Sequence, residues 1–271
     1  MTAATTEPEP TDPPSPRRLE GRVAIVTGAG RGIGRATARR LRDEGATVVA
    51  VELREEYAVE LRAELGAPHR VIVGDIAVEE TAVRAAELAR ATFGHIDILV
   101  NNAAVHHTAD LDELDGAEIH RILGINLVSQ FFTCKHAIPA MVAQGKGAIV
   151  NVSSNSAWIG QEMEGRSTAL YNVTKAGVLQ LSVSLATRYG ADGIRVNAVC
   201  PGPIRTDILV HEGFDQAYSD SLYDAAGGFG LPLGRSADPS EVAAAIAFLA
   251  SDDASFVTGT HLIVDGGSLA R

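Results

Sequence analysis

The sequence predicts a single α/β domain built on a parallel sheet, and three observations carry that prediction. Short apolar runs of strand length alternate with helix-length segments along nearly the whole chain. A glycine-rich turn joins the first such run to the first helix. Apolar residues make up 46% of the 271 positions, which suffices for a full core.

Composition also excludes classes of partner. A formal net charge of -11 argues against a nucleic acid or an anionic membrane, since both need a basic face. No apolar run is long enough to span a bilayer. Residues 1–19 read as a disordered Thr/Pro/Glu-rich tail, outside a domain spanning 20–271. That tail has no apolar core of the kind a secretory signal needs, so a cytoplasmic location is expected. Cys134 and Cys200 stand in no metal-ligand or C-x-x-C spacing and read as reduced, buried thiols; no metal site is expected.

The first strand, residues 23–26, is apolar without interruption, as a strand buried on both faces should be. It runs into Thr27-Gly28-Ala29-Gly30-Arg31-Gly32-Ile33-Gly34 and then a helix reaching Glu44. A glycine turn at a helix N-terminus lets backbone amides approach a pyrophosphate, whose charge the helix dipole favours. The second strand, 47–51, ends at Glu52, eighteen residues beyond Gly34. A carboxylate there can accept from an adenosine ribose diol and repel a 2′-phosphate, which selects NAD over NADP. Arg31 pulls the other way by offering charge to that phosphate, or is a solvated loop cation; Glu52 is weighted more heavily.

Helix 55–65, strand 70–73, helix 79–92 and strand 96–100 continue the alternation, which implies parallel units with right-handed crossovers. Asp75 and Ile76 follow the third strand, where an adenine edge would lie, although Asp75 alone also suits a helix cap. Asn101-Asn102-Ala103-Ala104 closes the fourth strand with small residues. His106 and His107 lack a third ligand at useful spacing, so they read as a pocket wall or as exposed side chains.

A long helical region follows, broken near Gly124-Ile125-Asn126 and ending about Gln144. Strand 148–152 delivers Ser153-Ser154, and seventeen residues after Ser154 comes Tyr171. Tyr171 and Lys175 are four apart on a helix that continues to about Tyr189, so they share a face. An ammonium beside a phenol favours the phenolate, which makes the pair suited to proton transfer. Strand 195–199 leads to Ile204 and Thr206, at the carboxyl end where ligands of open sheets bind. Asp238-Pro239-Ser240-Glu241 starts a helix to Ala250 with a cap, a proline and a capping-box glutamate, before the last strand, 261–264.

Taken together, the T-G-x-x-x-G-x-G turn from Thr27 to Gly34, the Asn-Asn-Ala-Ala at 101–104, Asn126, the serine pair, Tyr171-x-x-x-Lys175 and Pro201-Gly202 resemble the short-chain dehydrogenase/reductase family over residues 20–268. The resemblance implies a Rossmann-like, doubly wound sheet of about seven parallel strands flanked by helices. It also implies a homotetramer or homodimer built partly on the helix bearing Tyr171. It assigns Tyr171 as the base that takes a hydroxyl proton while hydride leaves carbon, and Lys175 as its electrostatic partner and a ligand of the cofactor ribose. Ser154, preferred to Ser153, donates to the substrate oxygen, and Asn126 holds a water that links Lys175 to solvent; a helix kink with a satisfied amide is the alternative for Asn126. Ala104 stands where the family usually has glycine, and the gap from Ser154 to Tyr171 is longer than usual.

The expected cofactor is therefore NAD, bound by Gly28, Arg31, Gly32, Ile33, Gly34, Glu52, Asp75, Ile76, Asn102, Tyr171, Lys175, Ile204 and Thr206. The expected substrate is a medium-sized, partly polar, cyclic alcohol or ketone. It would be lined by the lengthened loop 155–168 and a lid over 207–232 that carries Phe214, Tyr218, Tyr223, Gly227-Gly228 and Phe229. The rival readings are an NADPH-dependent 3-oxoacyl (carrier protein) reductase, against which Glu52 argues, and a non-catalytic dinucleotide sensor, which would have no use for Ser154, Tyr171 and Lys175 together.

Overall fold

A computed structural model of the chain describes residues 17–211, 213, 215–223 and 230–270. Seven parallel strands form one sheet: β1 (Val23–Thr27), β2 (Thr47–Glu52), β3 (Arg70–Val73), β4 (Ile98–Asn101), β5 (Gly147–Val152), then β8 (Ile194–Pro201) and β9 (His261–Val264). Between β5 and β8 lies a separate antiparallel hairpin of β6 (Glu162–Met163) and β7 (Arg166–Ser167). The order across the large sheet is β3-β2-β1-β4-β5-β8-β9. The chain winds outward from β1 to β3, crosses back to β4 and winds the other way, as the alternation of strands and helices predicts. Every residue of β1 and of β5 is buried, because helices cover both faces and leave no polar side.

On one face α1 (Gly32–Asp43) packs beside α9 (Pro239–Ala250), filling a core with Leu41, Val48, Val150 and Ile246. On the other, α3 (Glu79–Phe93) packs on α5 (Ser129–Gln144) around Ile25, Leu99, Met141 and Ile149. The α9 start is capped as its sequence predicts. Asp238 Oδ1 accepts from the Ser240 N–H at 2.8 Å, and Glu241 Oε2 accepts from the Asp238 N–H at 2.8 Å.

Two boundaries differ from the sequence reading. The fourth strand begins at Ile98, because the Ile96 N–H and carbonyl are taken by the Gln144 side chain and not by a neighbouring strand. The ordered fold also includes the end of the segment assigned to the tail. Leu19 is buried in the core, its N–H reaches the Glu44 carbonyl, and Arg18 pairs with the buried Glu44 carboxylate and with Asp253. An apolar side chain and a cation that solvates a buried anion are anchors which tail-like composition does not reveal.

The expected helix break at 124–126 is a π-helical turn, Gly124–Val128, between α4 (Gly116–Leu123) and α5. The lengthened loop is structured too, as a 3₁₀ turn at Asn155–Ala157 followed by the hairpin. Two short helices, α7 (Ile208–His211) and α8 (Gln216–Tyr223), occupy part of the expected lid; Phe214, Gly227, Gly228 and Phe229 lie outside the described residues. Among the described residues no helix is long and apolar enough to cross a membrane, no group of three or more His, Cys, Asp or Glu side chains is placed to hold a metal, and Cys134 and Cys200 are free and buried.

Candidate active site

The strand order reverses between β1 and β4, and the loops after these strands part there to leave a crevice. It opens into a cavity of about 680 Å³ that runs from Glu52 and Asp75 at one end to Ser154, Tyr171 and Lys175 at the other. At its centre is the N-terminus of α1. The N-cap, Arg31, makes no side-chain cap hydrogen bond, and the first turn holds no acidic residue. Its amides therefore face a cavity wall of Gly28, Gly32 and Ile33 without a protein anion, which suits a diphosphate.

Asn102 and Thr27 hold that turn in place. Asn102 Nδ2 donates to the Thr27 and Gly28 carbonyls, both at 3.0 Å, while Thr27 Oγ1 accepts from the N–H groups of Asn102 and Ala103. The turn has no room for side chains. A Cβ at Gly34 would lie 2.0 Å from the Gly28 carbonyl oxygen, and one at Gly28, whose φ is +61°, would lie 2.8 Å from the Ala103 Cα.

At the cavity's far end Glu52 is buried. Its Oε2 accepts from the Gly30 N–H at 2.8 Å and its Oε1 from the Arg54 N–H at 3.1 Å. The carboxylate thus braces the turn and retains lone pairs for a ribose diol. Arg31 also lines the cavity, and burial holds its guanidinium below the ordinary arginine range. Asp75 lines it as well while accepting from the Ala77 N–H at 2.9 Å, so it fills the turn role and faces the cavity at once. Ile76, Ile204 and Thr206 complete this wall.

The other end of the cavity is built on α6 (Ala169–Tyr189). Tyr171, Thr174, Lys175 and Val178 share its buried face, as the four-residue spacing predicts. Lys175 Nζ donates to the Val152 carbonyl at 3.0 Å and lies 5.6 Å from the centre of the Tyr171 ring. Burial pushes its ammonium down to about 8. The two serines separate clearly: Ser153 Oγ is spent on the Lys175 carbonyl at 2.7 Å, and Ser154 Oγ belongs to a chain within the lengthened loop. Ser154 accepts from the Ser156 N–H at 3.1 Å and donates to Ser156 Oγ at 3.0 Å, and Ser156 in turn donates to Gln161 Oε1 at 2.7 Å.

Asn126, fully buried in the π turn, makes a reciprocal pair with Val105, donating to its carbonyl and accepting from its N–H at 2.9 Å each. Its Nδ2 also reaches Thr174 Oγ1 at 3.2 Å. The amide thus ties the loop after β4 to α6, and its main-chain carbonyl accepts from Gln130 Nε2 at 3.2 Å.

Ser156 and Gln161 had no signal in the sequence beyond the length of their loop. His106 did, as half of a histidine pair, and the structure separates that pair. His106 is buried in the cavity wall with its ring 4.8 Å from that of Tyr171, whereas His107 turns to Glu118 at 3.0 Å.

Cavities of this form and position define the dinucleotide-binding class of open α/β sheets. The family described as enoyl-(acyl carrier protein) reductase matches residues 28–268. A cis-4-hydroxycyclohexanecarboxylate dehydrogenase of Sinomonas cyclohexanicum is 44% identical, over 92% of this chain and 97% of that protein. A D-threitol dehydrogenase of Mycolicibacterium smegmatis is 39% identical, over 92% and 94%. A solved short chain dehydrogenase/reductase family protein superposes with a TM-score of 0.81 at 38% identity, covering 94% of this chain and all of that one. The chain belongs to the short-chain dehydrogenase/reductase family. It is accordingly an oxidoreductase of the alcohol dehydrogenase/reductase kind, working on small molecules with a nicotinamide dinucleotide.

Proposed function

We propose that the protein interconverts a secondary alcohol and its ketone with NAD(H), on a medium-sized cyclic or partly polar substrate, and that Tyr171 is the general base and acid. The observation that carries this reading is the single cavity joining Glu52 and the uncapped α1 terminus to Ser154, Tyr171 and Lys175. When bound, the dinucleotide supplies the hydride acceptor for oxidation and the donor for reduction. Gly28, Gly32, Ile33 and Gly34 receive its diphosphate at the helix terminus, with Asn102 fixing the turn.

Glu52 selects the unphosphorylated ribose. An added phosphate would bring like charge against a buried carboxylate already committed to two amides. Arg31 then lies along the cofactor without deciding its identity. Asp75, Ile76, Ile204 and Thr206 bound the adenine and nicotinamide regions.

In the oxidising direction Tyr171 takes the hydroxyl proton. The buried Lys175 ammonium favours the phenolate form, since a cation close by in a low dielectric acts strongly on it. Ser154 turns its O–H from Ser156 to the substrate oxygen and is steadied there by the Ser156 N–H, so it stabilises the charge developing on that oxygen. Asn126 contributes by holding the loop after β4 against α6, and seats a water toward Lys175 as the family resemblance implies. The relatives' names give a polyol and a hydroxylated cyclohexane acid, both compatible with a cavity wall mixing Met163 and Ile208 with Gln161 and His106.

The test is nicotinamide absorbance with a panel of cyclic and linear secondary alcohols, run with NAD and NADP in parallel. Reduction with NAD is expected. Turnover with NADP alone would mean that Arg31 outweighs Glu52, and binding of NAD without turnover of any alcohol would favour a sensor.

A further inference from the structure

His106 is a buried polar group of the cavity wall that the proposed chemistry leaves unused. It is more than nine-tenths buried, lines the cavity beside Tyr171, and makes no hydrogen bond to any described residue. Of its ring nitrogens only Nδ1 is sealed from solvent without a partner, so Nε2 is the nitrogen left to the cavity. That arrangement favours one tautomer. A sealed N–H with no acceptor costs more than a sealed lone pair, so the proton resides on Nε2. The imidazole is also neutral, because burial, with His107 and Lys175 nearby, pushes it down to about 4. The site therefore holds an uncharged N–H donor whose ring lies 4.8 Å from that of Tyr171.

We propose that His106 Nε2 is a specificity-determining donor to a second oxygen of the substrate, carried on a carbon near the reacting carbinol, so that the preferred substrates are vicinal diols and their hydroxyketones. This rests on Tyr171 being the group that meets the carbinol oxygen. The distance between the rings lets one small substrate engage both, its reacting oxygen on the Tyr171 hydroxyl and its neighbouring oxygen on His106. A mono-alcohol would leave the buried N–H facing carbon, and a site with an unpaired polar group discriminates against the analogue that lacks its partner. Because the donor is neutral, it donates to a hydroxyl or a keto oxygen alike and demands no charge on the substrate.

The experiment compares 1,2-cyclohexanediol with cyclohexanol in wild type, His106→Phe and His106→Gln. Phenylalanine keeps a ring against Tyr171 and removes the donor, whereas glutamine restores an N–H near the Nε2 position. Two readouts are taken. One is kcat/KM with NAD, and the other is calorimetric affinity of each alcohol for the protein–NADH complex, which needs no turnover. Wild type is expected to favour the diol about ten-fold or more in both, as one hydrogen bond allows. The ratio should fall toward one in His106→Phe and recover in part in His106→Gln. A wild-type ratio near one, an unchanged ratio in His106→Phe, or failure of the diol to bind would overturn the assignment. Should His106→Phe fail to bind NADH, as a misfolded protein would, the wild-type and His106→Gln ratios still decide. Cyclohexanol oxidation by wild type tests the alcohol–ketone reading separately, since it involves Tyr171 and not His106.

Discussion

At the residue scale the site depends on a few side chains whose neighbours decide their chemistry. Replacing Tyr171 with Phe keeps the ring and its contact with His106 but deletes the proposed proton acceptor. Turnover is expected to fall by about 10³-fold, within the range for general acid–base catalysis, while dinucleotide affinity is retained. Stopped-flow absorbance beside a binding titration would expose substantial residual activity, which the base assignment does not survive. On the proposed mechanism Lys175 sets the alkaline limit. Its ammonium titrates near 8 in the folded chain against 10.5 ordinarily, so above pH 8 the cation that favours the phenolate is withdrawn. Alcohol oxidation, followed as kcat/KM, should decline about ten-fold per pH unit beyond that point; a profile flat to pH 10 would contradict it. The sign for stability is opposite. The folded chain loses this proton before the unfolded one does, so the cost of burying the charge is full below pH 8 and is relieved between pH 8 and 10.5. At Glu52 a Glu52→Gln change keeps an acceptor for the Gly30 amide while removing the charge, and the preference for NAD over NADP should drop by about ten-fold or more, measured as the ratio of kcat/KM values.

At the element scale, junctions between elements carry the function. The turn from β1 into α1 has its glycines pressed against backbone, and Gly34→Ala would force a methyl group to within 2.0 Å of the Gly28 carbonyl oxygen. A loss of about 1–3 kcal/mol in stability, together with weakened dinucleotide binding, is expected from denaturant melts and titration. The π turn between α4 and α5 turns Asn126 onto Val105 and Thr174, so a local departure from α geometry becomes the clamp between the loop after β4 and the helix bearing Tyr171. Much of this was legible. The glycine spacing, the Tyr171–Lys175 face, the helix break at 124–126 and the α9 capping box are local patterns, and local geometry reads directly from sequence. The hairpin in the lengthened loop was not. Its strands are two residues each, too short for periodicity to register, and the Ser154–Ser156–Gln161 chain exists only once that loop has folded back.

For the whole molecule, ligand and assembly are the tests. Binding of NAD at a hundred times its dissociation constant adds about 2.7 kcal/mol to the folded state. For a domain of this size that should raise the melting temperature by roughly 5–10 °C, read by calorimetry. Phe131 on α5 and Val173 on α6 stand more than half exposed in the single chain. An oligomer built on α6, which the family resemblance implies, would cover Val173; light scattering of wild type beside a Phe131→Glu variant tests this, and a wild type that scatters as a monomer would refute it. The sequence by itself determined the parallel α/β sheet, the glycine turn between β1 and α1 and the shared helix face of Tyr171 and Lys175, whereas Ser154 entered through the family resemblance. These depend on patterns within a few residues of one another and on the order of the elements. Only the tertiary structure decided that Leu19 and Arg18 belong to the fold, that Ser153 is occupied by α6 and Ser154 is not, and that His106 faces Tyr171 while His107 turns to Glu118. Each of these depends on which distant backbone or side chain arrives beside a residue, and hydrogen bonding and burial are properties of that arrival.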